Sequence, residues 1–101
     1  MLISAPPILC IVVPCYNEEE TLKTTAVALK SVLDTLVSSN KIAGNSYICF
    51  VNDGSKDATW PINCAFQTES PMYRGISLSR NFGHQGAVLA GLYTAQADIY
   101  V

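Results

Sequence analysis

The chain has 101 residues, 50% of them hydrophobic, with six Lys and Arg against eight Asp and Glu and a formal net charge of -2. That length supports one domain with a modest core, and cations standing singly form no basic stripe of the kind that phosphate-backbone contacts need, which argues against nucleic acid as a partner. The longest uninterrupted apolar stretch, Ile8 to Val13, is far below the roughly 18 residues that cross a bilayer, and no Lys or Arg precedes Lys23 to head a secretory signal, so the chain is expected to be soluble and to start in the cytosol.

Ile8 to Val13 is a continuous, β-branched-rich run rather than an alternating one, as suits a strand buried on both faces of a parallel sheet. Pro14 is expected to end it by withdrawing a backbone donor. Asn17, with Glu20 three residues on, forms a capping-box-like start, and Leu22, Ala26, Leu29, Leu33, Leu36 and Val37 recur at helical spacing. Gly44-Asn45 breaks that pattern before a second buried strand, Tyr47 to Val51, which the turn formers Asn52-Asp53-Gly54-Ser55 terminate. A helix restarts near Asp57; Pro61 fits only its first turn, and Pro71 argues that it is short. Arg74 to Leu78 reads as a third strand weakened by Gly75, and Gln85 to Gln96 as a helix with Ala87, Val88, Leu92 and Ala95 on its apolar side. Asp98 to Val101 opens a fourth strand.

Strands alternating with helices at this spacing predict an α/β fold, a Rossmann-like parallel sheet that binds ligands beyond the carboxyl ends of its strands. No internal repeat or linker divides residues 1–101, so a single nucleotide-binding domain is expected. The four cysteines (Cys10, Cys15, Cys49, Cys64) have no C-x-x-C spacing and read as reduced and structural, and the lone His84 has no neighbouring Cys or His, so no metal site is read from the spacing.

Polar groups cluster after each of the first three strands. Pro14, Tyr16, Asn17 and Glu18 precede a helix start, where an aromatic ring can lie on a flat base; the competing reading is that Asn17 caps the helix and Glu18 to Glu20 complement its dipole. Asp53 is a carboxylate in a tight turn, either an acceptor for the imino N–H of uracil or guanine, or an Asx-type turn on its own backbone with Gly54 at positive φ. Arg80, in Ser79-Arg80-Asn81-Phe82-Gly83, carries a planar fork suited to a carbonyl edge or diphosphate oxygens, or is a solvated charge. Singly these signals are soft; three at successive strand ends converge on one crevice.

In this order, Val13-Pro14-Cys15-Tyr16-Asn17-Glu18, Asn52-Asp53-Gly54-Ser55-Lys56-Asp57 and Leu78-Ser79-Arg80-Asn81-Phe82-Gly83-His84-Gln85-Gly86-Ala87 resemble the family 2 glycosyltransferases of the GT-A fold, within them the polyprenyl-phosphate type represented by bactoprenol glucosyltransferases and dolichol-phosphate mannose synthases. The resemblance implies that Pro14, Tyr16, Asn17 and Glu18 line the nucleotide pocket, that Asp53 takes the imino proton of the base, and that Arg80 steadies the base or diphosphate. Ser55 and Asp57 complete the motif without an evident ligand contact. It also implies transfer of a hexose, glucose from UDP-glucose, to polyprenyl phosphate with inversion, at the cytoplasmic face of a membrane. The family's acidic D-x-D pair, which holds a divalent metal (Mg or Mn) against the diphosphate, does not occur in the chain. Residues 1–101 are therefore expected to be the amino-terminal, nucleotide-binding half of the fold, without bound metal or transfer activity, its missing strands leaving a sheet edge prone to self-association. The alternatives are a family 2 transferase with a soluble or polysaccharide acceptor and a non-catalytic nucleotide-binding module. A dinucleotide oxidoreductase is disfavoured because no G-x-G-x-x-G follows the first strand.

Overall fold

The computed structural model describes residues 5–94 and 97–101. Strands β1 (Leu9–Cys15), β2 (Tyr47–Asn52), β3 (Tyr73–Ser77) and β4 (Ile99–Tyr100) form one sheet in the order β3-β2-β1-β4, and every pairing in it is parallel. Helices α1 (Leu22–Ser38), α2 (Thr59–Glu69) and α3 (His84–Thr94) are the crossovers. This is the α/β architecture expected of the alternating pattern.

The continuous apolar runs divide between two cores by the two-residue period of a strand. From β1, Leu9, Ile11, Val13 and Cys15 join Ile48 and Phe50 of β2 beneath Leu22, Ala26 and Leu33 of α1 and Phe66 of α2. The intervening Cys10 and Val12, with Tyr47, Cys49 and Val51, meet Ala87 and Ala90 of α3. The first core is built on aromatic rings: Phe66 stands 5.8 Å from Phe50 and 5.2 Å from Tyr73, whose hydroxyl donates to the Ala26 carbonyl. The second uses small residues. A Cβ on Gly91 would lie 2.5 Å from Val12 Cγ1, so its hydrogen lets α3 settle on the sheet. Leu92, expected on the apolar side of this helix, is exposed because Ala87, Ala90 and Gly91 make the close face; Ala95 lies outside the described residues.

Pro14 does not end β1, which continues to Cys15. Val12 donates to Val101, and the strand's two-residue period turns the Pro14 nitrogen to the same side, beyond the end of β4, where no ladder bond is needed. Gly75 likewise marks a contact rather than a weak strand: a side chain there would collide with the Asn63 amide of α2. Asp98 pins the open end of the sheet by accepting from the Ile8 amide at 2.9 Å.

Candidate functional site

The loops after β1, β2 and β3 (residues 16–21, 53–58 and 78–83) lie side by side at the carboxyl edge of the sheet. The first two are stitched together in both directions. The Asn17 amide donates to Ser55 Oγ (2.9 Å), the Glu18 amide to Thr59 Oγ1 (2.8 Å) and the Glu19 amide to Asp57 Oδ2 (3.2 Å). In return, the Lys56 amide donates to Asn17 Oδ1 and the Ala58 amide to Glu19 Oε2.

This seam overturns the capping-box expectation. Asn17 sits at φ 50°, in the left-handed region that Asn tolerates, and its side chain serves the second loop rather than the helix. Helix α1 starts at Leu22 after Thr21, which makes no side-chain cap bond.

The second loop also seats the third. Asp53 is 4% exposed, and its Oδ1 accepts from the Phe82 amide at 2.7 Å. The side chain that spans this turn is that of Asn52, whose Oδ1 accepts from the Ser55 amide three residues on while its Nδ2 donates to Ser77 Oγ. Gly54 has φ 71°, and a Cβ on it would stand 2.5 Å from the Arg80 carbonyl carbon and the Asn81 nitrogen. Glycine is thus required twice over, by conformation and by the approach of the third loop.

Two depressions open on this edge. The larger, about 710 Å³, is lined by Tyr16, Lys56, Asp57, Trp60, Arg80 and Asn81 among others. The smaller, about 170 Å³, is lined by Pro14, Cys15, Tyr16, Glu18, Asp53, Asn81, Gly83 and His84. Tyr16, 42% exposed, and Asn81 border both, so the two are adjoining parts of one surface. Of the residues singled out from the sequence, Pro14, Tyr16, Glu18 and Asp53 meet around the smaller part and Tyr16 and Arg80 around the larger. Asn17 lines neither, being engaged with the second loop.

Trp60 and Lys56 were not singled out. Trp60 carries a legible signal, since a large aromatic side chain in the first turn after a strand-end loop can offer a flat apolar face at the same edge. The Arg80 guanidinium lies over the Phe82 ring at 4.7 Å, a cation–π contact that braces its exposed side chain.

Burial, helped by the nearby Glu18 charge, pushes the Cys15 thiol up to about 12, so it carries no nucleophilic thiolate near neutrality. Desolvation works against the Asp57 carboxylate, but hydrogen bonds from the Thr59 hydroxyl and amide and from the Glu19 amide outweigh it and lower its pKa. All four cysteines are free thiols; three are buried and Cys64 is exposed, so the structural reading does not extend to Cys64. Among the described residues no three His, Cys, Asp or Glu side chains gather as a metal centre would require.

The sequence model of the family "Glycosyl transferase family 2" matches residues 10–101. The chain belongs to glycosyl transferase family 2. It is 46% identical over 90 residues to the uncharacterized glycosyltransferase YkoT of Bacillus subtilis, covering 89% of this chain and 27% of that protein. It is 35% identical over 91 residues to the prophage bactoprenol glucosyl transferase homolog of Escherichia coli, covering 90% and 28%. The chain thus spans about a quarter of the length of these curated family 2 relatives. Its fold matches that of the mannosyltransferase PcManGT from Pyrobaculum calidifontis, solved in complex with GDP-Man and Mn2+, with a TM-score of 0.62 at 20% identity over 94% of this chain and 26% of that one. The fold is therefore the GT-A type. No helix among the described residues is long and apolar enough to cross a membrane.

Proposed function

We propose that this chain forms the nucleotide-binding part of a glycosyltransferase that moves a hexose, glucose, from a UDP-sugar to a polyprenyl phosphate. The single observation that carries the reading is the convergence of an aromatic ring, a buried carboxylate and a guanidinium at three adjoining strand-end loops (Tyr16, Asp53 and Arg80). In this reading Tyr16 lies against the base, Asp53 Oδ2 accepts its imino proton while Oδ1 stays on the Phe82 amide, and Arg80 takes a carbonyl edge or a diphosphate oxygen. Support for the sugar and acceptor comes from relatives named as bactoprenol glucosyl transferases at 34% and 35% identity.

The reaction attacks the anomeric carbon with a phosphate oxygen of the acceptor. As that C–O bond forms, the bond from the anomeric carbon to the nucleoside diphosphate breaks, and configuration inverts. The acceptor oxygen is already anionic, so proton removal matters less than stabilising the charge that collects on the leaving diphosphate. A divalent metal (Mg or Mn), of the kind with which the mannosyltransferase PcManGT was solved, would supply that charge.

Trp60 is the sole tryptophan and borders the larger depression, which makes its emission a direct reporter. Titration with UDP, with GDP alongside, is expected to change Trp60 fluorescence saturably, UDP more tightly. No saturable response to either nucleotide, confirmed by calorimetry, overturns the reading.

A further inference from the structure

We propose that Ser55, Asp57 and Thr59 are positioning residues that set Tyr16 and Glu18 against the nucleotide through hydrogen bonds to the amides of Asn17, Glu18 and Glu19. The inference rests on the nucleotide-binding reading above and deepens it. Neither Ser55 nor Thr59 needs to touch the ligand for this, although Ser55 and Asp57 border the larger depression.

Three successive amides of the first loop each have a side-chain oxygen of the second loop as acceptor, at 2.9, 2.8 and 3.2 Å. Thr59 is fully buried and is itself fixed by Asp57, which accepts from both its amide and its hydroxyl. The Thr59 hydroxyl therefore has its proton directed at Asp57 and its lone pair at Glu18, a single allowed orientation. Two consequences follow.

First, the amides at 17, 18 and 19 are spent within the protein. The loop ahead of α1 is thus not a phosphate cradle of the glycine-rich kind, in which such amides face the ligand. Recognition falls to side chains. Second, with its backbone held from one side, the loop presents Tyr16 and Glu18 on the other, toward the depressions they line. Pre-setting that wall lowers the ordering cost of binding.

The test compares nucleotide affinity of the chain with Thr59→Val, Thr59→Ser, Tyr16→Ala and the Thr59→Val/Tyr16→Ala double variant, read by UDP calorimetry. Thr59→Val keeps the shape and removes the oxygen. It is expected to weaken UDP about tenfold, while Thr59→Ser, which keeps the oxygen, recovers most of the affinity. Since Thr59 acts through the first loop, Thr59→Val is expected to cost little more once Tyr16→Ala is present, and a purely structural residue would show additive losses instead. Amide exchange at Glu18 is expected to accelerate in Thr59→Val. Should Thr59→Val not fold, Ser55→Ala, which frees only the Asn17 amide, takes its place in the same cycle.

Additive losses, or UDP binding by Thr59→Val as tight as in the unmodified chain, overturn the inference alone. Failure of the unmodified chain to bind UDP or GDP overturns the functional reading and this inference with it.

Discussion

The second loop holds its two neighbours by different means. Toward the first loop it uses side-chain to backbone hydrogen bonds running both ways, so that losing one leaves several. Toward the third it uses one carboxylate–amide bond, Asp53 to Phe82, and a backbone approach over Gly54 that no other residue can make. The same edge of the sheet therefore has a redundantly fastened wall carrying Tyr16 and a wall carrying Arg80 that the second loop holds by a single side-chain bond and a close backbone approach. Substitutions in the second loop should separate the two.

Gly54→Ala attacks the less redundant attachment and carries the largest expected effect. A non-glycine residue at φ 71° costs about 1–2 kcal/mol, and the overlap with the Arg80–Asn81 backbone adds about 1–3 kcal/mol, for a loss near 3 kcal/mol in urea unfolding. A loss under about 1 kcal/mol would mean that the third loop can move away at little cost, and the contrast between the two walls would be overstated.

Asp53→Asn sharpens the same contrast by separating structure from recognition. The amide oxygen of Asn can still accept from Phe82, so the third loop stays seated and the thermal midpoint should move little. The anionic acceptor for an imino proton is gone, and UDP affinity is expected to fall about tenfold, roughly 1.4 kcal/mol. Unchanged affinity would restrict Asp53 to its loop-holding role.

The root of the first loop also sets an alkaline limit. Burial raises Cys15 to about 12 and, with the neighbouring Cys10, Cys49 to about 11; Cys10 and Tyr73 are raised as well, first by burial. In each case the unfolded chain gives up its proton first. Stability is therefore full below about pH 8.5, the ordinary thiol value, and declines as pH rises toward the folded values. Asp57 has the opposite sign: its lowered pKa contributes stability above the ordinary carboxylate range, lost as pH falls through the folded value. Urea midpoints from pH 4 to 11 should show a plateau between about 5 and 8; a midpoint still rising above pH 9 would contradict the buried thiols.

Much of this frame is legible in the sequence. Strands β1 and β2 announced themselves as unbroken apolar runs because each serves two cores, and Leu22, Ala26 and Leu33 marked the buried stripe of α1. The failures share a cause. Asn17, Pro14 and Gly75 take their sequence expectations from their chain neighbours, whereas the structure answers each with a partner or a vacancy from another element: Lys56, the end of β4 and Asn63. Local propensity cannot see a contact between residue 17 and residue 56. Ser55 and Asp57 looked like filler for the same reason, since their partners are backbone amides that carry no side-chain signature.

The smallest expected effect tests whether the seam differs in kind from ordinary surface bonding. Lys30 donates to Asp34 at 2.9 Å, a distance within the seam's own range. Both side chains are solvated, and the hydrogen bond and charge of Asp34 raise the Lys30 pKa without any shielding from water. The pair also runs Lys before Asp, the weaker order at this spacing, so Lys30→Ala should cost no more than about 0.5 kcal/mol. Thr59→Val removes a bond of like length but strands a partly buried amide, for which about 1–3 kcal/mol is expected. Water access, not length, separates them. Equal losses in urea unfolding would show that the seam is no better shielded than the flank of α1, and the first wall would then be as dispensable in its fastenings as any surface pair.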